Sequence, residues 1–143
     1  MVQVTKSTKS ISQNDIERAW QIIDLDGKIL GRVANEIATL LMGKGKVKFS
    51  PNMDMGDHVV VINARKVLLS ENKAAKKEYT LFSGYPGGLR TVSYKAMMEK
   101  KPTEIIRHAV SGMLPKNKLR DPRLARLHIF PNDQHTFAEK FNK

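Results

Sequence analysis

The sequence predicts a single α/β domain built on a mainly parallel sheet with helices on both of its faces. Three observations predict it. Val59-Val60-Val61-Ile62 is an unbroken β-branched apolar run, too short for a typical helix. It lacks the polar alternation of a strand with one wet face, so Asp57 to Asn63 reads as an interior strand buried on both sides. Leu30, Val33, Ala34, Ile37, Ala38 and Leu41 recur at helical spacing and make one apolar face. Strand-like and helix-like segments then alternate along the chain, the pattern that parallel connections require. At 143 residues the chain can bury a real core in one domain, residues 1–143.

Met1 to Gln13 is rich in Ser, Thr and Lys without an apolar signal core, so residues 1–15 read as a flexible arm. Trp20-Gln21-Ile22-Ile23-Asp24 is a short strand, stopped by the turn pair Asp26-Gly27. The helix from Leu30 ends at Gly43, a C-terminal cap residue. Gly43-Lys44-Gly45-Lys46-Val47-Lys48 is a bendable cationic loop. Beyond the interior strand, Ala64 to Leu69 reads as a helical turn or short strand, and Ser70 to Glu78 as a polar, Lys-rich stretch. Tyr79 to Phe82 is a strand. Gly84-Tyr85-Pro86-Gly87-Gly88 is a tight loop carrying an aromatic ring, and Thr91-Val92 pairs briefly as a returning strand. Ser93 caps a helix running to Lys101. Pro102 opens another, with its stripe at Ile105, Ile106, Ala109, Val110, Met113 and Leu114, and Pro115 stops it. Leu127 to Phe130 is the last strand, and residues 136–143 form a polar tail.

The charge is unusual. Lys and Arg number 25 against 14 Asp and Glu, a net charge of +11. The first 42 residues carry five of each sign, so the remainder holds the whole excess. A neutral first third joined to a basic remainder points to a scaffold that turns one side toward a polyanion. The densest run is 116–126, with five basic side chains and one acid. Phosphates of RNA or DNA suit such loops, because each contact releases condensed counterions. Aromatic residues are only 6% of the chain, so backbone and shape recognition is expected over a broad stacking platform.

Enzyme chemistry finds no support. Gly27 to Arg32 lies at a strand-to-helix turn but matches neither dinucleotide nor P-loop spacing. His58, His108, His128 and His135 show no ligand spacing, and Asp54 with Asp57 is too few carboxylates for a cation site. No cysteine is present, which removes disulfides, thiolate metal sites and Cys nucleophiles together. Ser111 lacks a nucleophile elbow. The methionines are accounted for by apolar faces. No catalytic residue, metal site or cofactor is expected. No apolar run approaches the ~20 residues that span a bilayer, so no membrane partner is expected either.

Several segments carry a family resemblance. They are Trp20 with Ile23-Asp24, Leu30-Gly31-Arg32-Val33-Ala34, Gly43-Lys44 with Lys46, and Pro51 through Asp57. Val59 through Ala64, Asn72-Lys73 with Lys77 and Tyr79, and Gly84 through Gly88 continue the series. The sharpest is Ala109-Val110-Ser111-Gly112-Met113-Leu114-Pro115-Lys116-Asn117. From about Trp20 to His135 the chain resembles the large-subunit ribosomal protein thirteen family. The resemblance implies a three-layer α/β/α domain around a four-stranded, mainly parallel sheet. It implies a cytoplasmic ribosomal protein that binds large-subunit rRNA, acts early in subunit assembly, touches neighbouring ribosomal proteins, and takes no small-molecule substrate. An organellar ribosome would suit the same residues. By match to the family's patterns, Lys44, Lys46, Lys73, Lys77, Tyr85, Lys116 and Asn117 are candidate RNA contacts. Charge alone adds Lys48, Arg65, Lys76, Arg90, Lys118, Arg120 and Arg123. A nucleotide-dependent or RNA-modifying enzyme on the same sheet, and a non-specific DNA-binding protein, are the competing readings.

Overall fold

A computed structural model describes residues 12–141. Most of the expected N-terminal arm, residues 1–11, and the last two residues lie outside the described range. Gln13–Asp15 forms a single 3-10 turn.

Strand β1 (Trp20–Asp24) leads through the Asp26-Gly27 turn to α1 (Leu30–Met42) and on to β2 (His58–Ile62). A 3-10 turn at Ala64–Lys66 follows, then α2 (Glu71–Lys76), β3 (Glu78–Phe82) and β4 (Leu89–Ser93). Three more helices are α3 (Tyr94–Lys100), α4 (Pro102–Met113) and α5 (Arg120–Ala125), and β5 (Leu127–Ile129) is the last strand. The Lys-rich stretch after Ser70 is therefore partly helical. Ser93 caps α3 as expected, its Oγ accepting from the Ala96 N–H.

The sheet order is β1-β2-β5, all parallel, with β2 in the middle. Val59, Val60 and Val61 are fully buried, so the two-sided interior strand is where the sequence puts it. Two expectations need correction. Among the described residues the parallel sheet has three strands instead of four, because β3 and β4 form a separate antiparallel hairpin. The tight Ser83–Gly88 connection, with Gly84 and Gly87 at positive φ, folds the chain straight back. A parallel partner needs a crossover of a dozen residues or more.

The second correction concerns the layers. Val59 and Val61 share their sheet face with Ile23 and Leu127, and that face joins the core of α1 and α4. Leu30, Val33, Ala34, Ile37, Ala38 and Leu41 of α1 pack there against Ile105, Ile106 and Val110 of α4. The opposite face carries Trp20, His58, Val60 and His128. Among the described residues an aromatic layer covers it: Phe137 and Phe141 from the C-terminal tail lie against Trp20. The tail is thus less polar in function than its composition suggests. The strand pattern shows that both faces are buried, not what buries them.

Candidate nucleic-acid interface

Gly43 ends α1 in the left-handed region, at φ 76°, and its N–H donates to the Thr39 and Leu40 carbonyls. A side chain there would meet the Met55 carbonyl oxygen at 2.6 Å. Gly56 is tighter still, since a Cβ would lie 1.7 Å from the Leu41 carbonyl oxygen. The loop before β2 therefore lies flat on the C-terminal end of α1. That end is rich in free carbonyls: the Asp57 N–H takes Leu40 and the Arg126 Nη2 reaches Leu41 at 3.4 Å.

This seam is held by charge. Asp54 receives Arg126 bidentately, Nη1 to Oδ2 and Nη2 to Oδ1, both at 2.5 Å. Arg123 Nε stands 3.5 Å from Asp54 Oδ1, and Arg18 Nη2 donates to the Asp54 carbonyl oxygen. Burial pushes the Asp54 carboxyl up, but the Arg126 hydrogen bonds and the charges of Arg126, Arg123 and Arg18 outweigh it. The net result holds Asp54 below the usual carboxylate range. Asp57 accepts from the Ala19 N–H at 3.0 Å and pairs with Lys46 Nζ at 2.5 Å. Lys46 also donates to the Glu17 carbonyl oxygen. The two aspartates do hold cations, and the cations are the protein's own.

Two of the expected RNA contacts also have partners within the protein. Arg123, taken from charge alone, is 2% exposed and faces Asp54, so it is a cation of the interior. Lys46 is tied across the loop to Asp57, which fixes the loop's shape and leaves Lys44 and Lys48 as its exposed cations. Burial at Arg123 and a long-range partner at Lys46 were the missing information; an Arg or Lys in a basic run gives no local sign of either.

The other candidates stand at the surface. Arg65 is exposed on the 3-10 turn after β2. Lys73, Lys76 and Lys77 are exposed around α2, with Lys77 Nζ 5.2 Å from the centre of the Tyr79 ring. Tyr85 is 76% exposed at the hairpin tip, and Arg90 is exposed beside it on β4. Lys116, Asn117 and Lys118 are exposed beyond Pro115, and Arg120 is half-buried at the start of α5. Asn117 shapes this turn: its Oδ1 accepts from the Leu119 N–H, and its carbonyl oxygen from the Arg120 N–H. The cations thus occupy several loops instead of one patch. Lys44 and Lys48 mark the C-terminal end of α1. Lys73 and Lys77 share a cleft with its N-terminal residues Leu30 and Gly31.

Sequence reasoning missed one grouping entirely. Trp20 stacks on His58 with ring centres 4.4 Å apart, and His128 lies 6.2 Å from His58 on the next strand. Burial lowers both histidines, Arg126, His128 and Arg18 adding to it at His58 and Arg107 at His128. Only strand register brings these rings together. Among the described residues no three His, Asp or Glu side chains gather to hold a metal. Nor is any described helix long and apolar enough to cross a membrane.

The model of the family described as "Ribosomal protein L13" matches residues 18–136, which includes the sheet, its helices and the basic loops. A "Large ribosomal subunit protein uL13" of Clostridioides difficile (strain 630) is 54% identical over 124 residues, 87% of each chain. The protein of the same name from Syntrophotalea carbinolica is 48% identical over 132 residues, covering 92% of this chain and 93% of its own. That of Caldanaerobacter subterraneus subsp. tengcongensis is 49% identical over 122 residues, 85% of each.

Proposed function

The chain belongs to the ribosomal protein L13 family, and on that premise we propose that its basic loops bind large-subunit rRNA and support early assembly of the subunit. The family is one of structural ribosomal proteins, not of enzymes. The observation that carries the reading is the family match from residue 18 to 136, over a body whose exposed loops hold the charge excess.

The physical logic is direct. A rigid interior fixes where each loop leaves the body, and the loops present lysines and arginines to phosphate. Lys44, Lys48, Arg65, Lys73, Lys76, Lys77, Arg90, Lys116, Lys118 and Arg120 supply the cations, and Tyr85 an aromatic face for a ribose or base. Neighbouring large-subunit proteins are the protein partners, and the cytoplasmic ribosome is the location. No small-molecule substrate or cofactor enters this reading.

Sedimentation tests it. A tagged copy expressed in bacteria is expected in large-subunit fractions that survive high salt, and in early precursor particles after a short pulse. A folded, tagged protein that stays at the top of the gradient would overturn the proposal.

A further inference from the structure

We propose that the cleft between the first turn of α1, the start of β3 and the C-terminal half of α4 holds one nucleotide of RNA, phosphate and base together. The inference rests on the rRNA-binding reading and says where a single residue of that RNA is gripped.

The cleft has a volume of about 510 Å³, within the range of small-ligand sites. One wall is apolar. Ile29 and Met113 are 44% and 41% exposed there, although the chain buries most of its large apolar side chains. A flat base would cover both. The polar part of the lining is net cationic: Lys73 and Lys77 stand against one carboxylate, Glu78, with Tyr79 and His108 beside them.

Two features point to an absent partner. Tyr79 is 6% exposed, and its hydroxyl is buried without a hydrogen-bond partner among the described residues. Such orphaned groups are rare in native proteins and call for a ligand or water. The second is the start of α1. The Leu30 N–H donates to the Leu68 carbonyl, and the Arg32 and Val33 N–H groups to Ile29. This leaves the Gly31 N–H without an acceptor among the described residues, and nothing lies within 4 Å of where its Cβ would stand. A free N–H at the positive end of a 13-residue helix, beside two lysines, suits a phosphate. A phosphate at Gly31, Lys73 and Lys77 leaves the base to the Ile29 and Met113 wall.

The test follows backbone amides by NMR in the full chain, titrated separately with inorganic phosphate, adenosine 5′-monophosphate and a single-stranded RNA hexamer. The Gly31 amide and those of residues 73–80 should shift saturably with the mononucleotide. Base stacking should make that binding at least roughly 5-fold tighter than phosphate, and the hexamer should bind tighter again at the same amides. Lys73→Gln and Lys77→Gln, at exposed positions that leave folding intact, should each weaken binding by roughly 10-fold. Tyr79→Phe should weaken it by roughly 3-fold or more. A silent Gly31 amide would overturn the proposal. So would phosphate binding as well as the nucleotide, the free nucleotide outcompeting the hexamer, or the lysine variants binding like the parent. If the tagged chain still enters large subunits while these titrations fail, the pocket is wrong and the ribosomal reading stands. Success here with a chain that never enters subunits supports the pocket and removes the ribosomal role.

Discussion

Arg126 and Asp54, 72 residues apart in sequence, meet fork to fork, with both nitrogen–oxygen distances at 2.5 Å. The pair joins the turn before β5 to the loop before β2, against the C-terminal end of α1. Removing one partner strands the other charge in a mostly buried site. Arg126→Ala should therefore cost roughly 2–4 kcal/mol in denaturant unfolding, and the Asp54→Ala, Arg126→Ala double variant less than the two singles together. Because Asp54 is held below its ordinary value of 3.8, its contribution is complete above about pH 4. It disappears as pH falls through the lower folded value, and Asp54→Asn should remove that acid limb.

The stacked histidines predict a second pH effect. His58 and His128 both titrate below the usual value of 6.5 in the folded chain. The unfolded chain thus takes up protons first, and stability should start to fall near pH 6.5 and keep falling as pH drops through the folded values. Urea midpoints between pH 7.5 and 5 would show it. His58→Gln together with His128→Gln should flatten the slope; an unchanged slope would assign it to other groups. The single tryptophan, stacked on His58, gives a fluorescence readout of the same protonation.

The tail is a structural layer. Phe137 lies 4.4 Å from the His128 ring and 5.1 Å from Trp20. Phe137→Ala should lower stability by about 1–3 kcal/mol and shift Trp20 emission to the red. A blue or unmoved emission maximum with unchanged stability would show that the tail does not cover this face.

Glycine substitutions should separate sharply. Gly56→Ala forces a Cβ to 1.7 Å from the Leu41 carbonyl oxygen, a backbone atom that cannot step aside. A loss of about 3 kcal/mol or more is expected in thermal or urea unfolding. Gly45→Ala, in the neighbouring exposed loop with open space around it, should change stability by no more than about 0.5 kcal/mol.

Cations of the loops and of the interior should fail in different assays. Lys116→Ala with Lys118→Ala should leave stability nearly unchanged. It should reduce the salt dependence of rRNA binding by roughly 1–2 on the ~0.7–0.9 per phosphate rule. Arg123→Ala should destabilise the fold and leave the slope alone, because its side chain is 3% exposed and turned to Asp54. Filter binding across a salt series, beside urea unfolding, distinguishes them.

The chain's local order was legible in its residues. The α1 stripe from Leu30 to Leu41, the two-sided run Val59 to Val61, the cap at Ser93 and the stops at Gly43 and Pro115 all have local causes. Pattern and capping depend on neighbours a few positions away, and a sequence states those neighbours directly. The ordered motifs likewise identified the family that the comparisons show.

What the sequence determined by itself was therefore the kind of molecule: an α/β fold, a cationic remainder and a family. Tertiary structure alone decided which cations stay outside. It drew Arg123 and Arg126 in to Asp54, tied Lys46 to Asp57, and set Trp20 against His58. It also closed β3 and β4 into a hairpin and laid Phe137 over the open sheet face. Each of these depends on contacts between distant segments, and a charge or a ring carries no mark in the chain of the partner that register and burial will give it.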